Sequence, residues 1–198
     1  TSSASPIGVG LRRYKDLNGD GKVDATNDRE ILGDANPKFF GGMTNTFYYK
    51  GFELNVFLQY SVGNKIYNYN AMELETPTGG TNAYADLVDR WTPEHPSTVY
   101  PKASTNRNIL VSDRFVEDGS YLKLKTLSLS YDFSKLKLKH IQGLRVYVTG
   151  QNLLTWTKYR GYDPEVSYKG ASTLEAGEDY GGYPQARTFM VGLKLDIK

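Results

Sequence analysis

There is no cysteine among the 198 residues. That excludes a disulfide framework, a thiolate metal site and a cysteine nucleophile. Histidine is nearly missing as well. His95 and His140 are the two present, and neither falls in a Ser/His/Asp or metal-ligand spacing. No excess of one charge exists: 24 Lys and Arg stand against 22 Asp and Glu, a net +2. A polybasic nucleic-acid binder and a polyacidic tail are both unsupported. No window approaches the roughly 18 apolar residues of a transmembrane helix. That absence speaks only of helices, because a membrane β-strand alternates and escapes a hydropathy scale. The first residues, "TSSASPIG", hold neither Met nor a charged-then-apolar leader. The expectation is a processed start or a piece of a larger protein.

Aromatic residues are plentiful at 13%, with 16 Tyr against 8 Phe. Tyr suits surfaces that are half apolar and half wet. Five segments alternate with a period of two: Phe39 to Lys50, Phe52 to Val62, Tyr121 to Phe133, Leu144 to Leu154 and Ala186 to Lys198. The clearest is "FELNVFLQYSV". Phe52, Leu54, Val56, Leu58, Tyr60 and Val62 share one face, and Glu53, Asn55, Phe57, Gln59 and Ser61 share the other. A strand of about 11 residues matches a tilted membrane span and exceeds the usual globular length of about 5 or 6.

The connections alternate in length. Gly51 alone separates the first two strands, predicting a tight hairpin. Residues 63–120 then form a long connection, "SKLKLKHIQG" a short one, and 155–185 another long one. Up-and-down membrane barrels alternate in this way, with tight periplasmic turns and long outer loops. Compact soluble domains rarely hold two structure-poor connections so long. Five strands cannot close a membrane barrel, and a lipid-facing open edge strands backbone N–H and C=O groups at several kcal/mol each. The pattern therefore predicts an all-β fold: antiparallel transmembrane β-barrel staves, completed by others. Residues 1–36 fall on the outer side and 37–198 supply the staves. A short helix is expected over Asn82 to Trp91, stopped by Pro93 and Pro96.

The stretch "DLNGDGKVDATND" reads as a calcium loop. Asp16, Asn18 and Asp20 take the first, third and fifth positions of an EF-hand-type loop, Gly21 the turn, and the Lys22 carbonyl the seventh. Asp24 is ninth; the twelfth is Asn27, with Asp28 one residue late. Calcium wants six to eight hard oxygens, and no partner residue suggests chemistry at the metal, so the expected role is structural. The bland alternative is a solvated Asx-rich turn. Tyr67, Trp91, Trp156 and Tyr162 are candidates to stack on a sugar or peptide, against the alternative of an interfacial girdle or loop packing. The basic run Lys135, Lys137, Lys139 and His140 reads as a solvated turn. Glu53, Glu165 and Asp163 offer carboxylates, but nothing places two at a glycosidase separation, and no enzyme is predicted. The competing class is a secreted, soluble, calcium-stabilised β-sandwich that binds glycans.

Several blocks together resemble the C-terminal region of SusC/RagA-type TonB-dependent transporters. They are the run from "DLNGDGKVD" to "LQYSVGNKIYN", "RWTPEHP", "SDRFVEDGSYLKLKTLSLSYDF", "LRVYVTGQNLLTWTKYRGYDPEV" and "YPQARTFMVGLKLDI". The resemblance implies the last five or so strands of a 22-stranded outer-membrane barrel. It implies import of oligosaccharides or peptides, a SusD-like surface lipoprotein as lid, and energy from TonB through a plug region upstream of these residues. Outer-membrane lipid would be the surrounding solvent, with no nucleic-acid partner. Two features depart from the family pattern: the spacing from Gly21 to Asp28, and an end at Ile197-Lys198 where such barrels commonly finish on an aromatic.

Overall fold

The computed structural model describes residues 8–76, 82–103, 111–133, 141–166 and 176–197. Five long strands form one antiparallel sheet: β1 (Phe39–Tyr49), β2 (Phe52–Val62), β5 (Tyr121–Asp132), β6 (Ile141–Thr157) and β8 (Thr188–Ile197), in the order β1-β2-β5-β6-β8. The expected strands are all present and sequence neighbours are sheet neighbours. The first hairpin turns on two residues, Lys50 and Gly51, at φ 47° and 93°. Paired positive φ values make the mirror-image turn whose twist suits the flanking strands.

Register sorts the side chains. Across the sheet, Leu54 lies opposite Phe47 and Leu129, Leu129 opposite Val148, and Val148 opposite Val191. Phe52, Val56, Leu58, Tyr60, Leu122, Leu127, Val146, Leu154, Leu193 and Leu195 join them on this apolar face. Glu53, Asn55, Gln59, Thr126, Ser128, Arg145, Thr149 and Gln151 share the other. Nothing among the described residues lies over the apolar face. Val191 is 77% exposed, and Leu54, Val56 and Leu58 are half-buried by in-sheet neighbours only. A β-sandwich would cover them with a second layer, so that expectation fails.

The apolar face is banded. Phe39 and Tyr60 meet edge to face near one end, while Tyr131 meets Phe52 tilted and Phe133 edge to face, each at a centroid distance of 4.5 Å, near the other. Aliphatic residues lie between. From Phe52 to Tyr60 the strand advances about 26 Å at roughly 3.3 Å per residue. A tilt of about 40° leaves roughly 20 Å, close to the aromatic-edged band of about 25 Å seen in membrane barrels.

One irregularity preserves the sorting. Strict alternation along "YLKLKTLSLS" would put Leu122 and Leu124 on the face opposite Leu127 and Leu129. Thr126 pairs with Phe57 and Leu124 with Leu58, leaving Lys125 as an extra residue. This β-bulge resets the alternation, so all four leucines face one way. The strand opposite bends to match, with Asn152 in the left-handed region at φ 52°.

The long connections carry structure of their own. β3 (Lys65–Asn68) pairs antiparallel with β4 (Val116–Asp118) and parallel with β7 (Glu178–Asp179). Helix α1 (Tyr69–Leu74) follows β3, capped by the Asn68 side chain, which accepts from the Ala71 N–H at 2.9 Å. The helix expected over 82–91 shrinks to a 3₁₀ turn at Ala85–Asp89. Ile66, Ala71, Phe115 and Tyr159 are the buried apolar residues of the described chain, and all belong to this cap. The basic run at 135–140 lies outside the described residues.

Candidate functional site

Two charged clusters hold the cap together. The first sits on the polar face of the sheet, at the end from which the long loops leave. Lys123 is 2% exposed in its side chain and bonds Asp163 at 2.5 Å and Glu165 at 2.7 Å. Lys125, delivered by the bulge, reaches Glu165 at 2.8 Å. Gln59 donates to Glu165 at 3.0 Å and to the Tyr121 hydroxyl at 3.2 Å. Asp163 also accepts the backbone N–H groups of Glu165 and Gln185. The segment after β6 is thereby pinned across the polar face of β2 and β5. Burial opposes ionisation of Asp163 and Glu165, but the Lys123 ammonium and the other donors outweigh it. Both carboxyls sit below their ordinary range.

The second cluster surrounds Glu75, whose side chain is fully buried just past the end of α1. Arg114 reaches it at 2.7 Å, Arg12 at 3.3 Å and Arg160 at 3.5 Å. Arg160 also holds Glu117 at 2.9 Å, and Glu117 accepts from Asn68 at 3.0 Å. Beneath them Tyr159 donates to Asp179 at 2.5 Å. Burial, with the Asp179 carboxylate next, raises the Tyr159 hydroxyl well above the ordinary tyrosine value.

The four candidate aromatics do not form one surface. Tyr67 packs inside the cap, 4.5 Å from the Tyr69 ring and 6.3 Å from Phe115, and burial pushes its hydroxyl up to about 12. Trp91 is half-buried against Gly10, where an added Cβ would fall 2.5 Å from the indole. Trp156 lies opposite Leu122 on the apolar face, in the position of a girdle residue. Tyr162 alone is openly presented, 80% exposed and one residue before the anchored Asp163.

The Asp-rich segment is a chain of Asx turns. Asp16 accepts from the Gly19 and Gly21 N–H groups, Asp28 from Leu17 and Asp24, and Asp24 from Thr26 and Asn27. Among the described residues no group of three or more His, Cys, Asp or Glu side chains is placed to share an ion. Asp16, Asp20, Asp24 and Asp28, as placed, serve the backbone.

Sequence reasoning missed Lys123, Glu75 and the three arginines. Lys123 reads as one more polar residue on an alternating strand. The arginines are spread from position 12 to 160, and their convergence depends on the cap.

No family model matches the chain. TonB-dependent receptor P3 of Formosa agariphila is 43% identical over 188 residues, covering 92% of this chain and 18% of that protein. TonB-dependent receptor SusC of Bacteroides thetaiotaomicron is 29% identical over 191 residues, covering 93% and 17%. Among solved structures, the RagAB peptide transporter superposes with a TM-score of 0.72 at 28% identity, over 88% of this chain and 19% of that one. The RagAB peptide importer in its closed-closed state gives 0.73 at 28%, over 91% and 20%. These relatives are receptors and transporters, not enzymes. The chain spans about a fifth of their length, and over that span it belongs, in sequence and in fold, with the TonB-dependent receptors of the SusC and RagA kind.

Proposed function

We propose that these residues are barrel staves and outer loops of an outer-membrane transporter that imports oligosaccharides or peptides. A SusD-like surface lipoprotein closes over the loops, and TonB drives release through parts of the receptor beyond this segment. The observation that carries the reading is the division of the sheet. One face is aliphatic, edged by aromatics and uncovered; the other is polar and bears an ion-paired anchor for the outer loops. An uncovered face of that kind suits lipid, and the polar face suits a wet lumen. Tyr162, held out beside the anchor, is the ring in the best position to meet a ligand.

Excising residues 82–111 from the complete receptor tests this. Uptake of its ligand should fall at least tenfold, with association of the lid lipoprotein weakened and barrel levels in the outer membrane unchanged. Unchanged uptake and lid association would refute it.

We further propose calcium as a structural ion of the 16–28 segment, with Asp16, Asn18, Asp20, the Lys22 carbonyl, Asp24 and Asp28 as its oxygen donors. The carboxylates must then leave some of their backbone partners and close on the ion. Terbium luminescence sensitised by nearby Tyr14 should saturate at one ion per chain and be displaced by calcium. Absence of a saturable signal would dismiss the ion.

A further inference from the structure

Among the described residues, the arginine cluster gathers three guanidinium groups around two carboxylates. Three guanidinium groups converge, and the ion pairs among the described residues offer them only Glu75 and Glu117. Glu75 is already contacted by all three. On Arg12, Nε and Nη1 are buried with no hydrogen-bond partner among the described residues, and Nη2 meets Glu75. Arg114 uses Nε on Glu75, and its side chain is 29% exposed. Arg160 is 52% exposed. Aromatic rings flank the group, with Phe115 5.1 Å from Arg12 and Tyr100 5.6 Å from Arg114.

A cluster that served only to bury Glu75 would not need this surplus. One guanidinium in fork geometry satisfies a carboxylate. Each further buried cation costs desolvation that only another anion repays. Burial, with the neighbouring Arg114 next, pushes the Arg12 guanidinium below its ordinary value, against the opposing pull of Tyr14 and Glu75. An anion arriving from outside at Arg114 and Arg160 would offset the excess charge. Arg and Tyr are also the side chains that most often anchor binding surfaces.

We propose that Arg114 and Arg160, backed by Arg12, form an anion-recognition site on the outer cap that takes a carboxylate group of the transported ligand. The inference builds on the transport reading for the ligand's origin. Its shared chemistry is the carboxylate, from a peptide or from an acidic sugar.

The test uses the complete receptor in detergent and four probes, measured by calorimetry. Tetragalacturonate is paired with neutral maltotetraose, and a tetrapeptide with a free C-terminus is paired with its amidated form. At least one carboxylated probe should bind tenfold or more tightly than its neutral counterpart. Arg114→Gln should erase that advantage while leaving neutral-probe binding as it was. Arg114→Lys, which keeps charge and loses the fork, should restore part of it. Which pair shows the advantage identifies the source of the carboxylate. Equal binding within both pairs, no binding of either carboxylated probe, or an advantage that survives Arg114→Gln would overturn the proposal. Transport is not needed for this assay, so a receptor that binds the anion yet fails the uptake test would sink only the transport reading.

Discussion

The sheet and the cap solve the burial problem in opposite ways. The sheet leaves its apolar side open: Leu129 and Val148 are each 48% exposed, although their strands make full ladders. The cap is much smaller, yet it closes over Phe115, Ile66 and Ala71, with Glu75 and Asp179 sealed among partners. A soluble domain would show the reverse, with its largest sheet best covered. The contrast teaches that the cap carries its own solvent-excluded core, whereas the apolar face of the sheet has no cover among the described residues.

If that is so, damage to the two regions should separate. The largest effect is expected from Phe115→Ala. The ring is fully buried, and such a deletion costs about 3–5 kcal/mol. Limited proteolysis should cut the cap while the barrel of the complete receptor still assembles. Joint loss of both would contradict their independence.

Next comes a charge on the open face. Leu129→Arg at the middle of the band should cost about 2–4 kcal/mol and lower folded barrel in the membrane. Thr44→Arg on the polar face of β1 should be tolerated. Equal damage from the two would erase the distinction between faces. Denaturant unfolding in lipid reads both.

A smaller effect is expected at Gly192. Its missing side chain makes room for the Tyr147 ring, whose atoms a Cβ would overlap. Gly192→Val should cost about 1–3 kcal/mol by overpacking, and Tyr147→Ala in the same chain should relieve it. Additive costs would remove Tyr147 as the cause.

The joint between the regions should respond to acid in one direction. Asp163 and Glu165 have lowered carboxyl values in the folded chain. A group so depressed contributes stability above its unfolded value, and that contribution fades as pH falls toward the folded one. Unfolded carboxyls titrate near pH 4. Protection of residues 159–166 against hydrogen exchange, taken relative to the intrinsic rate at each pH, should therefore be flat from pH 8 to about 5 and fall below about 4. Lys123→Met should change that acid dependence, although Lys125 and the backbone donors remain; a wild-type profile in the variant would refute the pairing.

The long strands were legible because two-residue alternation over about 11 residues is a strong signal and the turns between them are short. The hidden part was local pairing across distance. β3, β4 and β7 are four, three and two residues long, too short for any periodic pattern. α1 has six residues and no amphipathic stripe to read. The bulge at Lys125 could be inferred in principle, since Leu124 and Leu127 break parity, but the same break could also end a strand. Trp156 looked like a loop ring because β6 runs on to Thr157, beyond where its alternation is clear. Of the candidate ligand rings, Tyr162 keeps an open position, and its display depends on Asp163 finding Lys123, which no local pattern reveals.

The central claim is that lipid covers the face bearing Leu129 and Val148 while water covers the face bearing Ser128 and Thr149. Because this stretch lacks cysteine, a single cysteine at each position can carry a bimane label in the complete receptor, reconstituted in bilayers. At 129 and 148, quenching should come from doxyl groups on lipid chains and not from iodide in the buffer; at 128 and 149 it should be the other way round. Iodide quenching at 129 and 148 equal to that at 128 and 149 would contradict the account.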